Sequence, residues 1–196
     1  LALAYARRQD WVDADHIVVA GQSYGGMAAL ALATRAAPGV RGVLNFAGGL
    51  RVDAPGCDWP SALAKAFATF GAYSRIPSLW LYGANDAYFA PPLVQRLFHS
   101  FAGSGGKGEL YAYGPFKRDA HLTLGSRDGV PVWLPATERF LEKIGMPVRQ
   151  VYRVADPLPP PDTHFALQGD IAAVPYLAEQ GRAAYRSFLG KTTPRA

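Results

Sequence analysis

The residue in this sequence best suited to do chemistry is Ser23, at the apex of Gly21-Gln22-Ser23-Tyr24-Gly25. A serine hydroxyl in bulk water is a poor nucleophile. To attack a carbonyl it must stand clear of the backbone, beside a base and near the positive end of a helix. The flanking sequence offers that setting. The apolar run His16-Ile17-Val18-Val19-Ala20 precedes the pattern and an alanine-rich stretch from Gly26 to Ala37 follows it, so the segment reads as strand, tight turn and helix. In such a G-x-S-x-G turn the apical residue is strained, and the residues two before and two after it approach closely. Gly21 and Gly25 are expected to fill those places, with Gly26 adding room. The bland alternative is an ordinary strand-to-helix turn. In a chain with 21 glycines the bare pattern is weak, and the strand before it and helix after it carry the case.

A nucleophilic serine needs a base, and the base needs a carboxylate to orient it and to stabilise the imidazolium as it forms. In an α/β sheet the working loops leave the carboxyl ends of the strands. Asp86 lies in such a loop, within Tyr82-Gly83-Ala84-Asn85-Asp86, and His121 follows the next strand, within Arg118-Asp119-Ala120-His121. Ser23, Asp86 and His121 therefore come in the order Ser, Asp, His and can converge on one edge of a sheet. The other histidines fit less well. His16 starts the strand that Ser23 ends, His99 falls inside an expected helix, and His164 stands in a proline-rich tail. Asp119, the competing carboxylate, is too close in sequence to His121 for the usual orienting bond.

The elements that must hold these residues follow from periodicity and from Gly/Pro punctuation. Helices are expected over 1–9, 24–37, 61–70, 92–101 and 135–144, and strands over 16–20, 40–46, 78–82 and 109–113. Strands separated by helices imply parallel crossovers, hence an α/β layered sheet. Aromatic residues near the turn, Tyr24, Tyr88 and Phe89, are candidates to line an acyl or aromatic pocket, or simply to pack.

The 196 residues are 49% hydrophobic and 18% charged, as in a globular chain with a buried core, and no apolar stretch approaches the length of a membrane span. The formal charge of +5 is spread over scattered Lys and Arg residues with no basic block longer than a pair, which argues against nucleic acid as a partner. The single Cys57 cannot form an internal disulfide and reads as a loop cysteine. Gly103-Ser104-Gly105-Gly106-Lys107-Gly108 fails as a phosphate loop, because Phe101 stands where its first glycine belongs and Gly108 where Ser or Thr is needed. The one acidic cluster with a histidine, Asp13-Ala14-Asp15-His16, reads as a polar turn, so no metal is expected, and no cofactor.

Seven of the 16 prolines fall between Pro147 and Pro194. Residues 1–146 thus read as one α/β domain and 147–196 as a Pro-rich extension. Leu177, Ala184, Tyr185 and Phe188 recur there at helical spacing, as in an amphipathic helix near the end.

Gly-Gln-Ser-Tyr-Gly-Gly after a strand, Gly-Ala-Asn-Asp after the second next strand and a histidine after the last resemble the α/β-hydrolase superfamily, and most its dienelactone hydrolase family, over about residues 1–146. The resemblance implies Ser23 as nucleophile, His121 as general base and then acid, and Asp86 as orienting acid. It also implies an oxyanion hole made by the backbone N–H of Tyr24 and a second N–H from an earlier strand-to-helix loop, which this sequence does not contain. On this reading the chain is a fragment that starts partway through a helix and carries the C-terminal part of the fold. Dienelactone hydrolases proper use cysteine as nucleophile; with serine in its place the chain is similar to the esterase-like members. Its tail resembles extensions on some exported bacterial members, which favours the periplasm or the exterior.

The expected function is that of a serine hydrolase acting on a small-molecule ester or lactone through an acyl-enzyme. A serine peptidase of the prolyl oligopeptidase type is the alternative, since Ser-Tyr-Gly-Gly is equally at home there. A noncatalytic interaction protein on a hydrolase scaffold is the reading from a different class, and the presence of all three triad residues in order disfavours it.

Overall fold

The computed structural model describes residues 2–148; the proline-rich extension beyond its first two residues lies outside them, as does His164. A short helix α1 (Ala2–Ala6) leads through a turn to β1 (Ile17–Gln22), α2 (Tyr24–Ala33), β2 (Val40–Phe46), α3 (Trp59–Tyr73), β3 (Ser78–Gly83), α4 (Pro91–Gly103), β4 (Gly108–Tyr113) and α5 (Val130–Lys143). Two 3-10 turns, Ala120–Leu122 and Arg127–Gly129, lie between β4 and α5, and the first carries His121. The four strands form one parallel sheet in the order β1-β2-β3-β4, with Val19 beside Val43, Asn45 beside Trp80 and Leu81 beside Tyr111. This is the α/β layered architecture expected from the alternation of strands and helices.

The core is divided by the sheet. All six residues of β3 are buried, and its side chains alternate between two apolar clusters as the period of a strand requires. Trp80 and Tyr82 enter the cluster shared with Leu30 of α2, Phe67 of α3 and Leu97 and Phe101 of α4. Leu79 and Leu81 enter the other, against Ala136 and Phe140 of α5. Trp80 is the centre of the larger cluster, with ring centroids 5.0 Å from Phe67 and 5.1 Å from Phe101. Its buried indole N–H donates to Ser78 Oγ at 3.0 Å, so the ring is buried without an unmet donor.

Helix ends depart from the expected limits for local reasons. α2 stops at Ala33, where the Thr34 hydroxyl donates to the Ala31 carbonyl at 2.7 Å, and Pro38 keeps the preceding residue out of helical conformation. α3 starts two residues early, because the Asp58 carboxylate accepts from Ser61 N–H and caps it. The largest difference is α5, which begins at Val130 and takes Pro135 into its interior rather than starting there. The carbonyl deprived of its donor belongs to Pro131, which is exposed, and burial of Ala136, Thr137 and Phe140 on the opposite side holds the helix together.

Truncating Trp80 to alanine should lower unfolding stability by about 3–5 kcal/mol. The same change at exposed Leu122 should stay within about 0.5 kcal/mol. Urea unfolding followed by circular dichroism measures both.

Candidate active site

β1 ends at Gln22, and the chain turns at Ser23 with φ 54° and ψ −123° before entering α2. Positive φ at a residue with a side chain is strained by roughly 1–3 kcal/mol, so neighbours must hold it. They do so through the backbone. Ser23 N–H donates to the Phe46 carbonyl at 2.9 Å, and its own carbonyl accepts from Gly26 N–H at 3.0 Å, Met27 N–H at 3.2 Å and Gly49 N–H at 3.0 Å. Two of these four bonds come from β2 and the loop after it, which ties the turn to the neighbouring strand.

The glycines around Ser23 have unequal roles. A Cβ on Gly21 would collide with the Gly25 backbone, and one on Gly26 would collide with Asn45 Oδ1. A Cβ on Gly25 would meet nothing within 4 Å among the described residues. The expectation that Gly25 needs a small side chain for its own space is therefore corrected: Gly25 lends its backbone to the close approach, and Gly21 and Gly26 are the residues whose hydrogens make room.

Beneath this region Asn45 Nδ2 donates to Tyr82 Oη at 3.3 Å, and Tyr82 Oη donates to the Gly48 carbonyl at 2.6 Å. Burial, with the nearby Asp86 charge adding to it, raises the Tyr82 pKa and keeps the phenol a neutral donor.

Asp86 lies in the loop after β3. Its side chain is 0% exposed, and Oδ1 accepts from Tyr88 N–H at 2.8 Å and Phe89 N–H at 2.9 Å. Oδ2 stands 3.0 Å from Nδ1 of His121, whose side chain is 9% exposed. An ionised carboxylate can only accept, so Nδ1 is the donor in this bond and the lone pair falls on Nε2, the tautomer a general base requires. The ring is flanked by Tyr88, with centroids 4.6 Å apart, and by Phe89 at 5.8 Å.

The two loops that meet in this pair are stitched together by side-chain-to-backbone bonds that the sequence alone does not reveal. Asp119 Oδ1 accepts from His121 N–H at 2.9 Å and from Ala87 N–H at 3.0 Å, so this carboxylate clamps main chain and makes no bond to the ring. Asn85 Oδ1 accepts from Phe116 N–H at 2.8 Å, and its Nδ2 donates to the Lys117 carbonyl at 3.1 Å. Gln22 Nε2 donates to the His121 carbonyl.

The remaining candidates sit elsewhere. His16 is exposed at the amino end of β1, with Nδ1 2.9 Å from Asp13 Oδ2, and His99 is exposed on α4. Tyr24 and Tyr88 are exposed, 64% and 49%, while Phe89 is buried in the core and belongs to the packing under the pair. Cys57 is exposed in the loop before α3. A cavity of about 630 Å³ opens beside the His121 loop, lined by Gln22, Phe116, Asp119 and Leu122 among others. Among the described residues no group of three or more His, Cys, Asp or Glu is arranged to hold a metal ion, and no helix is long and apolar enough to cross a membrane.

No protein-family model matches the sequence, and no curated protein matches it. Solved structures do resemble the fold. A dienelactone hydrolase-like promiscuous phosphotriesterase from metagenomic libraries superposes with a TM-score of 0.52 at 16% identity, covering 73% of this chain and 58% of its own. A thermophilic esterase of Thermogutta terrifontis gives 0.52 at 18% identity, covering 77% and 64%. An acylaminoacyl peptidase of Pyrococcus horikoshii gives 0.52 at 13% identity, covering 71% of this chain and 26% of that one. The fold is that of the α/β hydrolases, and the chain spans less than two thirds of the length of each of these proteins.

Gly26→Ala should destabilise the protein by about 1–3 kcal/mol through overpacking against Asn45. Gly25→Ala should be neutral or stabilising by up to about 1 kcal/mol, since both positions lie in α2 and alanine favours helix. Thermal unfolding of the two variants separates them, and an equal loss at Gly25 would refute the unequal roles assigned here.

Proposed function

We propose that this chain carries the catalytic residues of a serine hydrolase that cleaves a small-molecule ester or lactone, with Ser23 as nucleophile, His121 as base and Asp86 as the carboxylate that orients it. One observation carries the reading: a buried carboxylate 3.0 Å from histidine Nδ1, beyond the carboxyl ends of the strands of a sheet whose first strand ends in a strained serine turn. A buried Asp–His pair has no need of such a serine for stability. Their presence along one sheet edge is what hydrolysis requires.

In this mechanism Nε2 of His121 takes the Ser23 hydroxyl proton as Oγ attacks the ester carbonyl carbon. Asp86, with Oδ1 held by two amides, keeps Nδ1 protonated and stabilises the imidazolium. The oxygen of the tetrahedral intermediate accepts from Tyr24 N–H, which as the first residue of α2 has no partner within the helix and lies at its positive end. His121 then returns its proton to the departing alkoxide, leaving an acyl-serine. Water, deprotonated by the same Nε2, hydrolyses the acyl-serine and restores the hydroxyl. No cofactor enters any step.

The likeness to an acylaminoacyl peptidase supports a second reading, in which the scissile bond is an amide. The two differ in leaving group, so turnover of p-nitrophenyl esters beside acyl-peptide p-nitroanilides distinguishes them: ester preference supports the first and preference for the anilide the second.

A fluorophosphonate should label Ser23 covalently, and Ser23→Ala should remove about 10⁶ of the turnover. His121→Ala should be nearly as damaging, and Asp86→Asn should cost on the order of 10⁴ by favouring the wrong tautomer. Asp119→Asn and His99→Ala should do much less. Undiminished turnover in folded Ser23→Ala would refute the assignment.

A further inference from the structure

Gln22 occupies the variable position of the G-x-S-x-G turn, immediately before Ser23, yet its side chain reaches residue 121. Its Nε2 donates to the His121 carbonyl across 99 positions of sequence. With this bond His121 is gripped at three points: its N–H by Asp119 Oδ1, its Nδ1 by Asp86 Oδ2 and its C=O by Gln22. The first two anchors belong to the loops after β3 and β4. Only the third comes from the strand that carries the serine.

The distinction matters because Asp86 and Asp119 fix the imidazole relative to β3 and β4, which lie two and three strands away from β1 in the sheet. Nothing in those bonds sets the spacing between the ring and the Ser23 hydroxyl. The Gln22 bond joins the residue next to the serine directly to the main chain of the histidine, so the two shift together. A proton transfer from Oγ to Nε2 is sensitive to displacements well under an ångström, so a direct tie of this kind acts on rate. Gln22 also lines the cavity beside the His121 loop and is only partly buried, so its replacement does not open the hydrophobic core.

We infer that Gln22 is a positioning residue that sets the distance between Ser23 and His121 through its bond to the His121 carbonyl. The inference rests on the serine hydrolase reading, and the experiment separates the two. Gln22→Met keeps length and volume and removes the donor; Gln22→Asn keeps the amide and is too short to reach. Both should lower kcat for a p-nitrophenyl ester about five- to tenfold with KM unchanged, the effect of one neutral hydrogen bond, and slow fluorophosphonate labelling of Ser23 by the same factor. In an Asp86→Asn background, where the ring is already misoriented, Gln22→Met should cost less than twofold, because residues acting through one geometry are not additive. Unchanged kcat and labelling rate in both Gln22 variants, beside a dead Ser23→Ala, would overturn this inference and leave the nucleophile assignment standing. A full tenfold loss in the Asp86→Asn background would also overturn it, since an additive effect marks a general structural role. Activity surviving in Ser23→Ala would overturn both.

Discussion

The burial of one negative charge governs the architecture around the site. A carboxylate with no exposed surface loses its hydration, which costs several kcal/mol unless donors replace the water. Asp86 has three: two backbone amides on Oδ1 and an imidazole N–H on Oδ2. The amides come from Tyr88 and Phe89, so the loop after β3 must fold back on its own aspartate. The imidazole comes from a different loop, so the segment after β4 must be held against the first. Asn85 and Asp119 supply that hold by bonding main chain across the gap.

The packing under the loops serves the same end. Phe89 donates its N–H to the carboxylate and buries its ring in the main cluster, with a T-shaped contact to Trp59 at 6.5 Å. The turn that solvates Asp86 is thus anchored by apolar burial. Tyr82 of β3, four residues before Asp86, stays protonated in this negative surrounding and bonds Gly48, which lies two residues beyond β2. Gly49 in turn donates to the Ser23 carbonyl. The strained serine and the buried carboxylate therefore share a support that runs through β2 and β3, the two inner strands. Strain at Ser23 persists because the four backbone bonds around it leave the turn little alternative.

Much of this was legible in order and type. The strands and helices followed from apolar periodicity and from Gly and Pro positions, and they form the parallel sheet expected. Boundaries were less legible where a side chain made the difference. Asp58 extends α3 by capping it, and α5 absorbs Pro135 because its buried face outweighs one missing donor. Of the residues proposed for chemistry, Asp86 and His121 are brought into contact, and Ser23 stands in a strained turn between strand and helix.

The sequence by itself determined the succession of elements and the strand-turn-helix at Ser23, because those depend on interactions within a few residues: periodicity, capping and the conformations Gly and Pro allow or forbid. It also marked Asp86 and His121, since a residue just past a strand lies at a known edge of the sheet. Only the tertiary structure decided that Gly26 needs its missing side chain more than Gly25 does, that Asp119 clamps backbone, and that Gln22 reaches His121. Each of those depends on which atoms from distant segments share a few ångströms of space. No pattern of neighbouring residue types encodes that until the sheet has brought the strand ends together.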